Sequence, residues 1–331
     1  MTNTVEPVLD EAFPGRSVAD VQPAGVSWND QNETVAVEFA DGASAFLKVA
    51  VDGDGSRVAR ERAVIDYVRS HCDVAVPTVV ASDADGDPPY LATAPMDGHN
   101  VAEGWPEWDD DEQVAVTRRV GAALAEVHDR TFESHGHIEG GGPDELVLDG
   151  GTWTDVLVDE IEAQRARSST DRFEGYFDEV VAAVEGNRPL LDEAPAVLTH
   201  GDPAQPNVFR LDGAIGFVDW EISHVGDPAY ELYRAEQQFP HDADERGSSS
   251  PDSQARQDAG ERIEVALREG YAERAGSLPE GYEDRVPVYE AVWHVYNLGL
   301  FDKWAGDDDE SPEEVAATAE AEMERYLDAI R

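Results

Sequence analysis

The stretch Val197-Leu198-Thr199-His200-Gly201-Asp202-Pro203-Ala204-Gln205-Pro206-Asn207, continued by Val208–Leu211, Asp212-Gly213, Ala214–Val218 and Asp219-Trp220-Glu221, decides how this chain is read. An Asp-Gly pair between two short apolar runs is a strong signal for a two-residue hairpin. A hairpin about Asp212-Gly213 sets Asn207 opposite Val218 and beside Asp219. Asp202 lies just before that end, in a loop stiffened by Pro203 and Pro206. Two carboxylates and a carboxamide at one end of a rigid ribbon make an oxygen-rich site suited to a hard divalent cation. Taken alone, Asp202 and Asn207 are also ordinary turn formers and Asp219 an ordinary strand-end cap, so a second constellation has to carry the weight.

It lies upstream. Glu33–Phe39 and Ser44–Val51 read as strands joined through Asp41-Gly42, and a helix follows over Ser56–Cys72. At ~100° per residue that helix places Val58, Val64, Ile65, Val68 and Cys72 around Glu61, with Arg60, Arg62, Asp66 and Arg69 opposite. A carboxylate at the centre of an apolar stripe is costly unless paired. Its expected partner is Lys48, inside the apolar strand Ala45-Phe46-Leu47-Lys48-Val49-Ala50-Val51. The chain has only two lysines, Lys48 and Lys303, among its 24 basic residues, and it keeps one where a strongly hydrated ammonium is expensive.

Further outward, Val76–Ser82 and Pro89–Met96 read as strands split by the turn-rich Asp83–Pro88, so residues 1–96 form a small sheet with one helix. After Asp97-Gly98 the pattern turns helical, at about 112–130, 154–167, 174–187, 228–238, 258–275, 284–305 and 311–330. His241–Asp258 is polar, Ser-rich and without a period, and is expected to be a mobile surface loop. The class expected is α+β, with a second, mainly helical part over 97–331.

A strand Lys, a helix Glu soon after, then far downstream His-Gly-Asp-x-x-x-x-Asn and a hairpin ending in Asp resembles the aminoglycoside-phosphotransferase-like enzymes, small-molecule kinases of the protein-kinase-like fold. Val76-Pro77-Thr78-Val79-Val80, Leu91–Met96 before Asp97-Gly98, Leu124-Ala125-Glu126-Val127-His128, and Asp219-Trp220-Glu221 through Gly226-Asp227-Pro228 are similar to segments of that family. His200-Gly201-Asp202 stands where protein kinases have His-Arg-Asp, Asp219-Trp220-Glu221 where they have Asp-Phe-Gly, and Ala-Pro-Glu is missing.

The resemblance implies a bilobal fold with a small β-rich N-lobe and a larger helical C-lobe. It implies a transfer of the γ-phosphate of ATP or GTP to a small-molecule hydroxyl, on an amino sugar, amino alcohol or similar compound. Lys48 would hold the α and β phosphates and Glu61 would orient it; Asp202 would take the proton of the attacking hydroxyl; Asn207 and Asp219 would bind Mg²⁺. The Ala94 carbonyl and Met96 amide would meet the adenine, since Pro95 has no amide to donate. Ser27, in Gly25-Val26-Ser27-Trp28-Asn29, stands where the family has its phosphate-covering turn, with one glycine and no Gly-x-Gly-x-x-Gly. Two rivals are an inactive nucleotide-binding regulator of the same fold and a metal-dependent hydrolase using the same carboxylates.

Composition narrows the partners. Lys and Arg total 24 against 72 Asp and Glu, a net charge of −48 over 331 residues. Such a surface repels phosphate backbones and anionic lipid, which excludes a basic footprint on nucleic acid or membrane. With its 28 glycines counted in and its tyrosines out, a chain that is 41% hydrophobic reaches the ~45–50% apolar content of ordinary globular domains. Acid-rich, lysine-poor and folded is the composition expected of a halophilic cytoplasm, where salt screens the self-repulsion. The single cysteine, Cys72, fits a reducing compartment, and no secretory leader or membrane span is read. The acceptor and the oligomeric state are not legible.

Weaker signals resolve to structure. His128 shares a helix face with Thr117, Gly121 and Leu124 and is expected to be a satisfied core histidine. His135-Gly136-His137 lacks a third ligand at useful spacing. Asp83-Ala84-Asp85-Gly86-Asp87 has its glycine in the wrong place for a calcium loop. Asp109–Glu112 and Asp307–Glu310 are expected to open helices. Tyr289, Trp293, Tyr296, Leu300 and Trp304 form a helical aromatic stripe expected in the core.

Overall fold

The computed structural model describes residues 4–25, 31–239, 253–305 and 311–331, the side chains of 253–258 excepted. The N-terminal part contains α1 (Glu6–Ala12), β1 (Val18–Pro23), β2 (Asn32–Phe39), β3 (Ser44–Ala50), α2 (Ser56–His71), β4 (Val79–Asp83) and β5 (Tyr90–Thr93). The strands make one antiparallel sheet in the order β1-β2-β3-β5-β4. In β2 and β3 alternate residues are buried, and Val35, Val37, Ala45, Leu47 and Val49 turn to α1, packing on Val5, Val8 and Phe13. The pleat sends Lys48 to the opposite face. There α2 lies across the sheet.

Two expected strands are shorter than their apolar runs. The first starts at Val79 and the second stops at Thr93, because Pro77 and Pro95 have no amide to give a ladder. The sequence pattern did not reveal α1 and β1. One is seven residues long, and the other is mostly exposed, with a burial pattern that marks no buried face.

The remainder is mainly helical: β6 (His99–Asn100), α3 (Val101–Gly104), α4 (Asp110–His128), β7 (Gly136–Gly141), β8 (Leu146–Leu148), α5 (Trp153–Ala166), α6 (Glu174–Gly186), α7 (Arg188–Leu191), β9 (Val197–Thr199), β10 (Val208–Arg210), β11 (Ile215–Phe217), β12 (His224–Gly226), α8 (Pro228–Gln238), α9 (Ser253–Ala275), α10 (Tyr282–Gly299), α11 (Phe301–Trp304) and α12 (Pro312–Ile330). β6, β7, β8 and β12 were not expected: β6, β8 and β12 are two or three residues long, too short for a period, and β7 carries three glycines and one aliphatic side chain. Residues 253–258, read as loop, begin α9, and 241–252 lie outside the described residues. The helix expected over 284–305 is two helices broken at Leu300.

Trp153, Trp220, Tyr230, Tyr289, Phe173, Phe177 and Phe217 are fully buried in one core that also takes in Val58, Val64, Ile65 and Val68 of α2 and Leu91 of β5. α2 therefore ties the sheet to the helical part, and Arg60 Nε adds a bond to Ile138 O at 2.9 Å. Asp109 caps α4 through the Glu112 amide at 2.9 Å, while the acidic run at 307–310 lies outside the described residues. His128 is saturated in the core, with Nδ1 3.0 Å from the Tyr271 hydroxyl and Nε2 2.8 Å from Glu231. In the aromatic stripe Tyr289 and Tyr296 are buried; Trp293, Leu300 and Trp304 are only partly so.

Candidate active site

β9 delivers His200-Gly201-Asp202 to the end of the β10–β11 hairpin. Val208 pairs with Phe217 and the Val218 amide donates to Asn207 O at 2.9 Å, which is the register expected from Asp212-Gly213. Gly201 has φ +88°, and a Cβ there would meet Ile222 O at 2.5 Å, so only glycine serves. Asp219 has φ +66°, the one positive φ outside glycine among the described residues. A left-handed residue costs about 1–2 kcal/mol and marks a position held by its surroundings.

His200 is fully buried, and burial pushes its pKa down, so it stays a neutral imidazole. Its Nδ1 accepts the Asp202 amide at 3.2 Å, and Nε2 then carries the proton, 2.9 Å from Val218 O. Its ring packs 4.4 Å from that of Trp220. His200 thereby binds the loop of Asp202 to the hairpin that ends in Asp219.

Asp202 is one-third exposed, with 35% of its side chain open. Asn207 Nδ2 donates to Asp202 O at 3.0 Å and Oδ2 at 3.1 Å; Gln238 Nε2 donates to Oδ1 at 2.6 Å. Both carboxylate oxygens are thus fixed in place by neutral amides.

Lys48 sits among three acids. Its Nζ is 2.7 Å from Glu61, 2.5 Å from Asp219 and 3.1 Å from Glu221. Burial acts to lower the ammonium pKa, but the three negative charges outweigh it and hold the pKa well above the usual lysine value. Burial pushes Glu61, 4% exposed, up to about 7, against the pull of Lys48 and with the repulsion of Asp219 and Glu221. Asp219 is only partly enclosed, with 41% of its side chain open; against the desolvation it does suffer, the charge and hydrogen bond of Lys48 bring its pKa below the ordinary value.

Glu221 is tied down. Arg57 Nη1 bonds Oε1 at 2.8 Å and Asn32 Nδ2 bonds Oε2 at 2.6 Å, so it joins α2 and β2 to the hairpin end. Glu61, Asp219 and Glu221 each place an oxygen within 4.8 Å of the others, the spacing of a metal cluster. Lys48 already bonds all three, so this cluster is an ammonium cage in the state described. Beyond the bonds to Lys48, a second Asp219 oxygen and Asn207 Oδ1 are hard oxygens of the kind Mg²⁺ takes.

The Ala94 amide donates to Thr78 O at 2.8 Å, leaving its carbonyl for another donor. Met96 packs over Gly216, where a Cβ would lie 2.4 Å from Met96 Cε. Ser27 lies outside the described residues.

Four neighbours of the site were not foreseen. Glu231 accepts the Gly201 amide at 2.7 Å and anchors His128, Gln238 and Arg234 flank Asp202, and Arg57 pins Glu221. Glu231 and Arg234 come from α8, in which Pro228–Glu236 are all buried. The helical period gathers Glu231, Arg234 and Gln238 on one polar face, which period alone would turn to solvent, whereas packing turns it to the site.

A five-stranded sheet tied through one helix to a helical part, with Lys48 and Glu61 facing an Asp202 loop and an Asp219 hairpin, is the protein-kinase-like fold. The chain belongs to the phosphotransferase enzyme family, whose model matches residues 24–285. It is similar to a Thermobifida fusca chain assigned as a fructosamine-3-kinase, at 21% identity and TM-score 0.59, covering 100% of this chain and 99% of that one. It is also similar to a thermostable mutant of aminoglycoside phosphotransferase APH(4)-Ia in ternary complex with ADP and hygromycin B, at 18% identity and TM-score 0.58, covering 99% and 97%. The macrolide 2'-phosphotransferase MphH of Brachybacterium faecium matches at 18% identity and TM-score 0.52, covering 92% and 91%. At these identities the likeness carries the fold. No curated protein matches the sequence. No helix among the described residues is long and apolar enough to cross a membrane.

Proposed function

We propose that the protein transfers the γ-phosphate of ATP, or of GTP, to a hydroxyl of a small molecule. The observation that carries this is the meeting of Lys48, Asp219, Asn207 and Asp202 at one junction, with Lys48 Nζ 2.5 Å from Asp219 and Asn207 3.1 Å from Asp202. Residues 1–96 are taken as the nucleotide-holding lobe and 97–331 as the lobe that carries Asp202 and receives the acceptor.

Phosphoryl transfer asks the protein for an aligned nucleophile and for positive charge on the phosphate oxygens, and for little covalent chemistry. Lys48 supplies that charge to the α and β phosphates, exchanging its bond to Asp219 for phosphate oxygens, while Glu61 keeps the ammonium aimed. The Ala94 carbonyl and Met96 amide hold the adenine edge, and Ser27, outside the described residues, is assigned to the phosphates by its place in the sequence. Asp219 and Asn207 would hold Mg²⁺, which would supply further positive charge for the phosphate oxygens. Asp202 accepts the hydroxyl proton as the acceptor oxygen bonds to γ-phosphorus and the bond from γ-phosphorus to the β-phosphate oxygen breaks, giving the phosphate ester and ADP.

The test is ADP release from Mg·ATP over a panel of amino sugars, amino alcohols, hydroxy acids and sugars, in molar KCl. Turnover with one acceptor class supports the proposal. Stoichiometric Mg·ATP binding without turnover on any of them points to an inactive regulator, and no thermal shift with nucleotide points to a hydrolase.

A further inference from the structure

Arg234 is a buried cation without an adequate partner. It is 8% exposed, and its nearest carboxylate oxygen is Asp202 Oδ1 at 3.9 Å from Nη2, too long for a hydrogen bond. Its Nε has no hydrogen-bond partner among the described residues, and beside it the hydroxyls of Tyr230, 1% exposed, and Tyr296, 8% exposed, have only each other and the guanidinium within reach. These groups are neighbours. The guanidinium carbon is 5.7 Å from the Tyr230 ring and 5.8 Å from the Trp293 ring, and its charge acts on both phenols. The other buried guanidinium, Arg285, bonds Asp227 at 2.5 and 3.1 Å. Leaving a buried charge unpaired is strongly destabilising, and this chain has 72 acidic residues from which a partner was not drawn.

The pocket has donors in excess. A guanidinium offers five N–H groups and two phenols add two O–H groups. Asp202 is already engaged, by Gln238 on Oδ1 and Asn207 on Oδ2. What is lacking is a pair of anionic oxygens. The two oxygens of Asp202 also face different neighbours: Asn207 bonds Oδ2, while Gln238 and Arg234 lie at Oδ1. Arg234 therefore lies on the side of Asp202 away from Asn207.

We propose that the acceptor is a hydroxy acid, whose carboxylate is held by Arg234 with the hydroxyls of Tyr230 and Tyr296 while its hydroxyl is presented to Asp202. This rests on the kinase reading of the same site. A guanidinium takes a carboxylate through two parallel bonds, which fixes orientation as well as charge. A polycationic acceptor brings no such acceptor group and sets its ammonium against Arg234. The −48 surface charge does not oppose the choice, because salt screens it within ~3–10 Å and the pocket field comes from Arg234 itself.

The experiment pairs each hydroxy acid with its analogue lacking the carboxylate: gluconate with glucitol, glycerate with glycerol, homoserine with 3-amino-1-propanol. Binding is followed by calorimetry and turnover by ADP release, on the full chain with Mg·ATP in molar KCl. At least one acid is expected to bind and react with kcat/KM about tenfold or more above its partner. Arg234→Gln raises KM for that acid about tenfold or more and leaves KM for ATP within about twofold; Arg234→Lys recovers part of the loss, and Tyr296→Phe gives a smaller loss in the same direction. Preference for the uncharged or cationic partner overturns the inference. So does binding of none of the acids while Mg·ATP still shifts the melting temperature, or an equal rise in KM for ATP in Arg234→Gln, which makes Arg234 a phosphate ligand. Failure of Mg·ATP to bind the wild type overturns the kinase reading instead.

Discussion

Lys48 and Asp219 are 171 residues apart in the chain and 2.5 Å apart in the structure. One is on a strand of the N-terminal sheet and the other at the end of a hairpin in the helical part, so their bond joins the two parts at the point where a nucleotide would enter. Each holds the other's charge in the state described, and each is proposed to act on the nucleotide phosphates, Lys48 directly and Asp219 through Mg²⁺.

Replacing Asp202 by Asn removes the proposed proton acceptor and turns one acceptor oxygen into a donor, which Gln238 can meet by turning its unpartnered Oε1 to it. We expect kcat to fall by roughly 10²–10⁴-fold. Nucleotide affinity should stay near that of the wild type. Steady-state ADP release and an ATP titration check both, and unchanged turnover sinks the assignment.

Lys48→Met leaves Glu61 and Asp219 facing each other without their shared cation. Loss of one partner of a buried pair costs about 3–5 kcal/mol, so the melting temperature drops, and KM for ATP rises with it. A variant with wild-type KM for ATP would discredit the phosphate role of Lys48.

The pH dependence of stability carries a signature of Glu61. Its pKa stands at about 7 in the fold against 4.5 ordinarily, so the folded state holds its proton more tightly. That stabilisation is complete below pH 4.5 and is lost as pH rises through about 7. Asp219 is shifted the other way, so its contribution is present above pH 3.8 and lost only at lower pH, outside this window. His135, His200, His224 and His294, whose pKa values burial lowers, act in the opposite sense over the same range, so the signature is a difference: between pH 5 and pH 7.5 the melting temperature of the nucleotide-free wild type should fall relative to that of Glu61→Gln.

A net charge of −48 on 331 residues is self-repulsive in dilute buffer. The screening length falls from ~10 Å at 0.1 M salt to ~3 Å at 1 M. The melting temperature should climb steadily with KCl over that range, and full stability and activity in low salt would remove the halophilic account of the composition.

The sequence by itself carried what local pattern can encode. Asp212-Gly213 set the hairpin register that brings Asn207 beside Asp219, because turn chemistry and a period of two act within a few residues. The helical period singled out Glu61 as a carboxylate facing inward, and scarcity of lysine made Lys48 conspicuous. What the tertiary structure alone decided is how those charges are shared. That Glu221 is taken up by Arg57 and Asn32, that the two oxygens of Asp202 are divided between Asn207 and Gln238, and that Arg234 stands buried beside them depends on contacts between elements up to 189 residues apart. Such contacts leave no period. On α8 the period sets Glu231, Arg234 and Gln238 on one polar face, as on any surface helix, and only packing reveals that this face is turned to the site.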